Sequence, residues 1–133
     1  EQYNQLEKEL HEAYPTNVAF KNGLAISYSK LGDTHTALGN LPQALTYFEQ
    51  YNQLEKELHE AYPTNVEFKN GLAISYSKLG WFYKDQKKDN VKARFYFEKY
   101  LALREELAKD YPSFVEFQRG LQMAKDALEG LSQ

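Results

Sequence analysis

Two histidines stand at matching places, His11 and His59, each inside a His-Glu-Ala-Tyr-Pro segment. A helical His-Glu-x-x-His would give zinc two imidazoles on one face, with the glutamate beside them as a base. Here Pro15 and Pro63 occupy the place of the second histidine, so the zinc reading fails. Glu7 and Glu55 precede the two histidines by four residues, and a surface carboxylate–imidazole pair is the plain reading. His35 aligns with Tyr83 and reads as an amphipathic packing residue. Cysteine is absent, which removes thiol nucleophiles, disulfides and Cys-based zinc sites together. No serine–histidine–acid set has a local signature, and the many carboxylates read as solvated helix surface. The expectation is a protein that is not an enzyme, with no cofactor and no metal.

From Lys84 to Arg94 five basic residues meet two acidic ones. A single-strand nucleic-acid groove wants more charge and stacking aromatics around it, so a solvated loop is the better account. The whole chain agrees: 16 Lys+Arg against 19 Asp+Glu leave a net charge of −3, and no nucleic-acid partner is expected. With 42% apolar and 15% aromatic residues in 133, the chain can build a core. No apolar run approaches the ~18 residues of a membrane span and no signal-peptide pattern opens the chain, so a soluble, cytoplasmic protein with no membrane partner is expected.

The elements that position these residues come from an internal repeat. Gln2–Gly32 recurs as Gln50–Gly80, an offset of 48, with Glu67 in place of Ala19. A diverged third copy follows at an offset of 49, where Tyr100, Tyr111, Pro112, Phe117, Gly120 and Leu121 echo Tyr51, Tyr62, Pro63, Phe68, Gly71 and Leu72. The stretches between, 33–49 and 81–98, share much less, so individuality is concentrated there. Each unit reads as two helices. Pro15, Pro63 and Pro112 stop one helix, and the next starts at once. Thr64-x-x-Glu67 and Ser113-x-x-Glu116 have capping-box spacing, which Thr16 and Ala19 half lose. Gly39-Asn40 breaks the first unit before Pro42, and Gln86-Lys87-Lys88-Asp89-Asn90 breaks the second with one extra residue and no glycine.

Along 41–62, Ala44, Tyr47, Tyr51, Leu54, Leu58 and Ala61 form one apolar stripe, with Leu41, Leu45 and Phe48 beside it. A helix with two stripes touches two neighbours, as inner units of a repeat array do. Gly23, Gly71 and Gly120 fall inside helices, where glycine costs roughly 1 kcal/mol, and close helix approach explains them better than a phosphate loop. Gly32 and Gly80 lie about half a rotation further on. Six helices are predicted, at about 1–14, 17–38, 41–62, 65–87, 90–111 and 114–131.

Tyr28-x-x-Leu31-Gly32-x-x-His35, then Gly39, Ala44 and Phe48, resembles the tetratricopeptide repeat pattern, and Tyr76-x-x-Leu79-Gly80-x-x-Tyr83, then Ala93 and Phe97, matches it better. The departures are Tyr28 and Tyr76 for tryptophan, Tyr51 and Tyr100 for a small residue, and a 48-residue unit where the family has 34. The resemblance implies an all-α, right-handed α-solenoid of antiparallel hairpins with long helices and a deep groove. It divides 1–133 into a partial leading unit (1–16), hairpins 17–64 and 65–113, and a capping helix 114–133. In that last helix Lys125 and Glu129 replace Tyr76 and Gly80, a polar face suited to an end.

By register, the family's peptide- or helix-binding groove would present Asn22, Ile26, Ser29, Asp33 and Thr36 from the first hairpin and Asn70, Ile74, Ser77, Trp81 and Lys84 from the second. Trp81 is the expected anchor, with packing against the next helix as its alternative. The family's carboxylate-clamp positions fall on Ser29, Asp33, Lys78, Met123 and Ala127, and four of the five do not fit. The implied role is a scaffold binding a protein or peptide ligand. The alternative is a structural spacer or self-association arm of a larger protein, a homo-oligomer by end stacking or domain swapping. The mid-hairpin opening and missing start methionine suggest a piece of a longer array.

Overall fold

In a computed structural model the chain is described over residues 2–14 and 17–131, with six helices and, among the described residues, no strand. They are α1 (Gln2–Ala13), α2 (Val18–Ala37), α3 (Leu41–Ala61), α4 (Val66–Asp85), α5 (Asn90–Asp110) and α6 (Val115–Leu131). Pro15 and Thr16, expected to break and restart the helix, lie outside the described residues. The chain divides into two compact units, unit 1 over 1–68 and unit 2 over 69–133. The division falls after the first turn of α4 rather than at the loop before it. The Phe68 ring lies 5.8 Å from Tyr62 at the end of α3, which ties that turn to unit 1.

Unit 1 is a three-helix packing in which α2 contacts both α1 and α3. α2 starts at Asn17, whose extended backbone lets its side-chain oxygen accept the Phe20 N–H at 3.0 Å. Asn65 does the same for Phe68 at 3.1 Å. The capping box expected at Thr64 is therefore corrected: the asparagine one residue later takes the cap, and Glu67 falls in the first turn of α4. In the third copy Phe114 holds the asparagine's place, again leaving the Ser113 box uncapped; Gln118 instead donates to the Ala108 carbonyl at 3.0 Å.

α2 ends in a paired turn. The Gly39 N–H donates to Thr36 and the Asn40 N–H to His35, with Gly39 at φ +80°. Lys88, the residue equivalent to Gly39, takes the same left-handed region at φ 54° without being glycine. That is how the second connection manages without a glycine.

The core of unit 1 joins Leu24, Ala25, Tyr28 and Leu31 of α2 to Ala44, Phe48, Tyr51, Leu54 and Leu58 of α3. The Phe48 ring occupies the space a Cβ on Gly32 would fill, and Phe97 does so over Gly80 in unit 2. Each helix pair can thus come close only because the glycine has no side chain. Unit 2 buries Phe97 and Leu107 of α5 with Phe117, Ala124, Ala127 and Leu131 of α6. The eleven residues at the repeat-pattern positions are all buried: Tyr28, Leu31, Gly32, Ala44 and Phe48 in unit 1, and Tyr76, Leu79, Gly80, Tyr83, Ala93 and Phe97 in unit 2. Ala61, counted in the α3 stripe, is exposed at the helix end. On α6, Gln122, Lys125 and Glu129 share one exposed polar face.

Candidate functional site

Spacings of four and three place Asn70, Ile74, Ser77, Trp81 and Lys84 on one face of α4, and Asn22, Ile26, Ser29 and Asp33 on the matching face of α2. In unit 2 the Trp81 ring meets Phe97 edge-on at 5.1 Å and remains 41% exposed, while the Lys84 ammonium sits 4.8 Å from its centroid. Packing and exposure are thus combined in one ring: the edge is anchored and part of the surface is open. Ser77 is half-buried and donates to the Ile74 carbonyl at 2.7 Å. Ile74 is half-buried, and the half-buried Asn70 has a side-chain oxygen with no hydrogen-bond partner among the described residues.

Unit 1 treats the same positions differently. Ile26 is 45% exposed and Asn22 half-buried. Ser29 turns toward α3, where its side chain hydrogen-bonds the buried Tyr51 hydroxyl. Asp33 is exposed, and its charge also reaches Tyr51. The Thr36 hydroxyl is turned back to the Gly32 carbonyl at 2.8 Å. A depression of about 340 Å³ between α1 and α2 is lined by Asn4, Glu7, Ile26 and Lys30, among others, so Ile26 alone of the expected residues enters it.

The glutamate–histidine pairs expected on the surface are corrected. Glu55 is 3% exposed, with one carboxylate oxygen lacking a partner among the described residues. Burial pushes its carboxyl up to about 7. The Nδ1 atoms of His11 and His59 are likewise buried and have no partner among the described residues. At the first copy Glu7 folds over Gly23 in the space a Cβ would take. Arg104 occupies the matching position over Gly120 in unit 2. Helix spacing placed Glu7 four residues from His11, and the bare Gly23 on the neighbouring helix offers it a closer seat.

Tyr51 titrates above its ordinary range, first through burial, then through the charges of Glu55 and Asp33, with the Ser29 hydrogen bond opposing. Burial, then Tyr47 and Glu12, raises Tyr28. The Glu57 carboxyl is held low chiefly by its hydrogen bond to Lys21, whose ammonium lies 2.6 Å away.

Sequence spacing missed two ring stacks built from non-adjacent residues. In unit 1 the Tyr47 ring stacks on His35 at 5.3 Å and on Tyr28 at 5.9 Å. In unit 2 Tyr96 stacks on Tyr83 at 5.7 Å and on Tyr76 at 6.3 Å. The signal available was the alignment itself, since both stacks occupy equivalent positions at an offset of 48 or 49. A hollow of about 760 Å³ lies beside the unit 1 stack, between α1 and α3.

Among the described residues, no group of three or more His, Cys, Asp or Glu is placed to hold a metal ion, and no helix is long and apolar enough to cross a membrane. No family model matches the chain, and comparison with curated proteins and with solved structures gives no match.

Proposed function

We propose that the chain is a tetratricopeptide-like scaffold, a right-handed solenoid whose α2 and α4 faces bind a peptide or helix of a partner protein. The observation that carries this reading is Trp81. In a sequence that otherwise repeats itself, position 33 is an exposed aspartate and its counterpart is the only tryptophan, 41% exposed. The indole is held at its edge by Phe97 and covered by Lys84, so little rotamer freedom is left to lose on binding. Rigid, partly exposed tryptophans are the residues on which binding energy concentrates. Ile74, half-buried on the same face, would supply an apolar contact beside the indole.

A peptide-display selection against the intact chain, counter-selected with Trp81→Ala, tests this. Enriched peptides should lose about 2 kcal/mol of affinity in the variant, the loss typical of a hot spot. The variant's helical circular dichroism should be retained, since Phe97 stays buried. A folded chain that enriches nothing, or peptides indifferent to Trp81, would favour the spacer reading.

A further inference from the structure

The two ring stacks are alike, but their surroundings on the outer helix are not. Beside Tyr47, unit 1 carries Pro42, Gln43, Thr46 and Gln50; at the same places beside Tyr96, unit 2 carries Val91, Lys92, Phe95 and Lys99. A neutral polar edge has become an apolar pair framed by cations. Val91 is 82% and Phe95 53% exposed. Lys92 lies over the Tyr83 ring at 5.2 Å and Lys99 over Phe95 at 4.9 Å, so the cations are gathered onto the aromatic surface.

Charge is divided the same way. Unit 1 holds four Lys+Arg against ten Asp+Glu, a net −6, and unit 2 holds twelve against nine, a net +3. Unit 1 has an exposed leucine beside acid to match. On α1, Leu6 is 55% exposed, and exposed Glu9 and Ala13 follow at helical spacing. Leu54, the counterpart of Leu6 in α3, is buried.

The geometry points to a head-to-tail contact between two copies of this chain, in which the Leu6–Glu9 face of α1 in one copy seats on the Val91–Phe95 face of α5 in the other, with Lys92 and Lys99 meeting its carboxylates. Leu6 and the Val91–Phe95 pair are all exposed within the single chain, so a second copy supplies what each face lacks. The surfaces differ, so the contact is heterologous and can propagate. It does not use the polar face of α6.

Sedimentation velocity on the whole chain tests this at rising concentration, in about 50 mM and about 500 mM salt. Association is expected at low salt and should weaken at least about tenfold at high salt, since charge pairs at a rim are screened. One variant, Lys92→Gln with Phe95→Thr and Lys99→Gln, installs the residues unit 1 already carries. A second, Leu6→Gln with Glu9→Lys, alters the other face. Each should be monomeric alone, with an unchanged circular dichroism spectrum, and an equimolar mixture should form a 1:1 dimer and nothing larger. A wild-type chain that stays monomeric throughout would overturn the proposal. So would association that survives either variant, a mixture that does not dimerise, or a monomer whose α5 face binds only an unrelated acidic helical peptide.

Discussion

Phe48 lies over Gly32 in unit 1 as Phe97 lies over Gly80 in unit 2, yet beside the first contact stands an exposed aspartate and beside the second a tryptophan with its own lysine. The same contrast recurs at the ring stacks, where Tyr47 and Tyr96 each stack on two rings, His35 giving way to Tyr83, while their flanks change from glutamine and threonine to lysine and phenylalanine. The glycine–phenylalanine contact is held constant while the exposed positions around it vary. What the two units teach is that the close glycine–phenylalanine approach defines the hairpin, and that the positions around it are free to acquire charge or an exposed ring without disturbing it.

The sharpest way to break that equivalence is at the shared contact. Phe48→Ala and Phe97→Ala should each cost about 4 kcal/mol in chemical denaturation, because both rings are almost fully buried and leave a large cavity. Gly80→Ala alone should be destabilising by overpacking, but much less so when Phe97→Ala has made room. Additive costs in that double-mutant cycle would mean that glycine and ring do not act together.

Glu55 separates the units by pH. Its folded carboxyl is raised from the ordinary 4.5 to about 7, so the folded state holds its proton more tightly than the unfolded chain does. There is no penalty below about pH 4.5. It grows as pH rises through the interval and is complete above about pH 7, reaching about 3 kcal/mol. Denaturation midpoints should therefore fall between pH 5 and pH 8, and Glu55→Gln should flatten that decline. Arg104, at the same position in the third copy, carries no such acid.

The connections differ next. Lys88 occupies a left-handed conformation that glycine adopts freely, so Lys88→Gly should stabilise by about 1 kcal/mol, while Gly39→Ala should destabilise by a similar amount. Thermal midpoints of the two variants would move in opposite directions. The smallest effect belongs to the cross-helix pairs Lys21–Glu57 at 2.6 Å and Lys69–Glu106 at 3.2 Å, which sit at equivalent positions. Glu57→Gln and Glu106→Gln should each cost no more than about 1 kcal/mol, and less in high salt.

Much of the architecture was legible in the chain because its signals are local. Prolines, the Gly39-Asn40 break and the apolar spacing placed all six helices with ends within two residues of the observed ones. The start of α4 was placed one residue early, since Thr64 and Asn65 are both good caps and spacing to Glu67 favoured the wrong one. The burial of Glu55 was not legible, because periodicity identifies a face without saying what lies across from it. Spacing sets the residues of α4 in a row, but the lysine over Trp81 and the two ring stacks depend on side-chain directions that spacing leaves open.

Trp81 also makes the molecule its own optical probe. The chain has one tryptophan, and it lies in unit 2 between an aromatic edge and an ammonium group. Its fluorescence on unfolding reports that unit alone, whereas far-ultraviolet dichroism counts helical turns in both. If the two curves superimpose during a denaturant titration, the units melt as one cooperative body; if they part, the emission trace isolates unit 2 without any label having been attached.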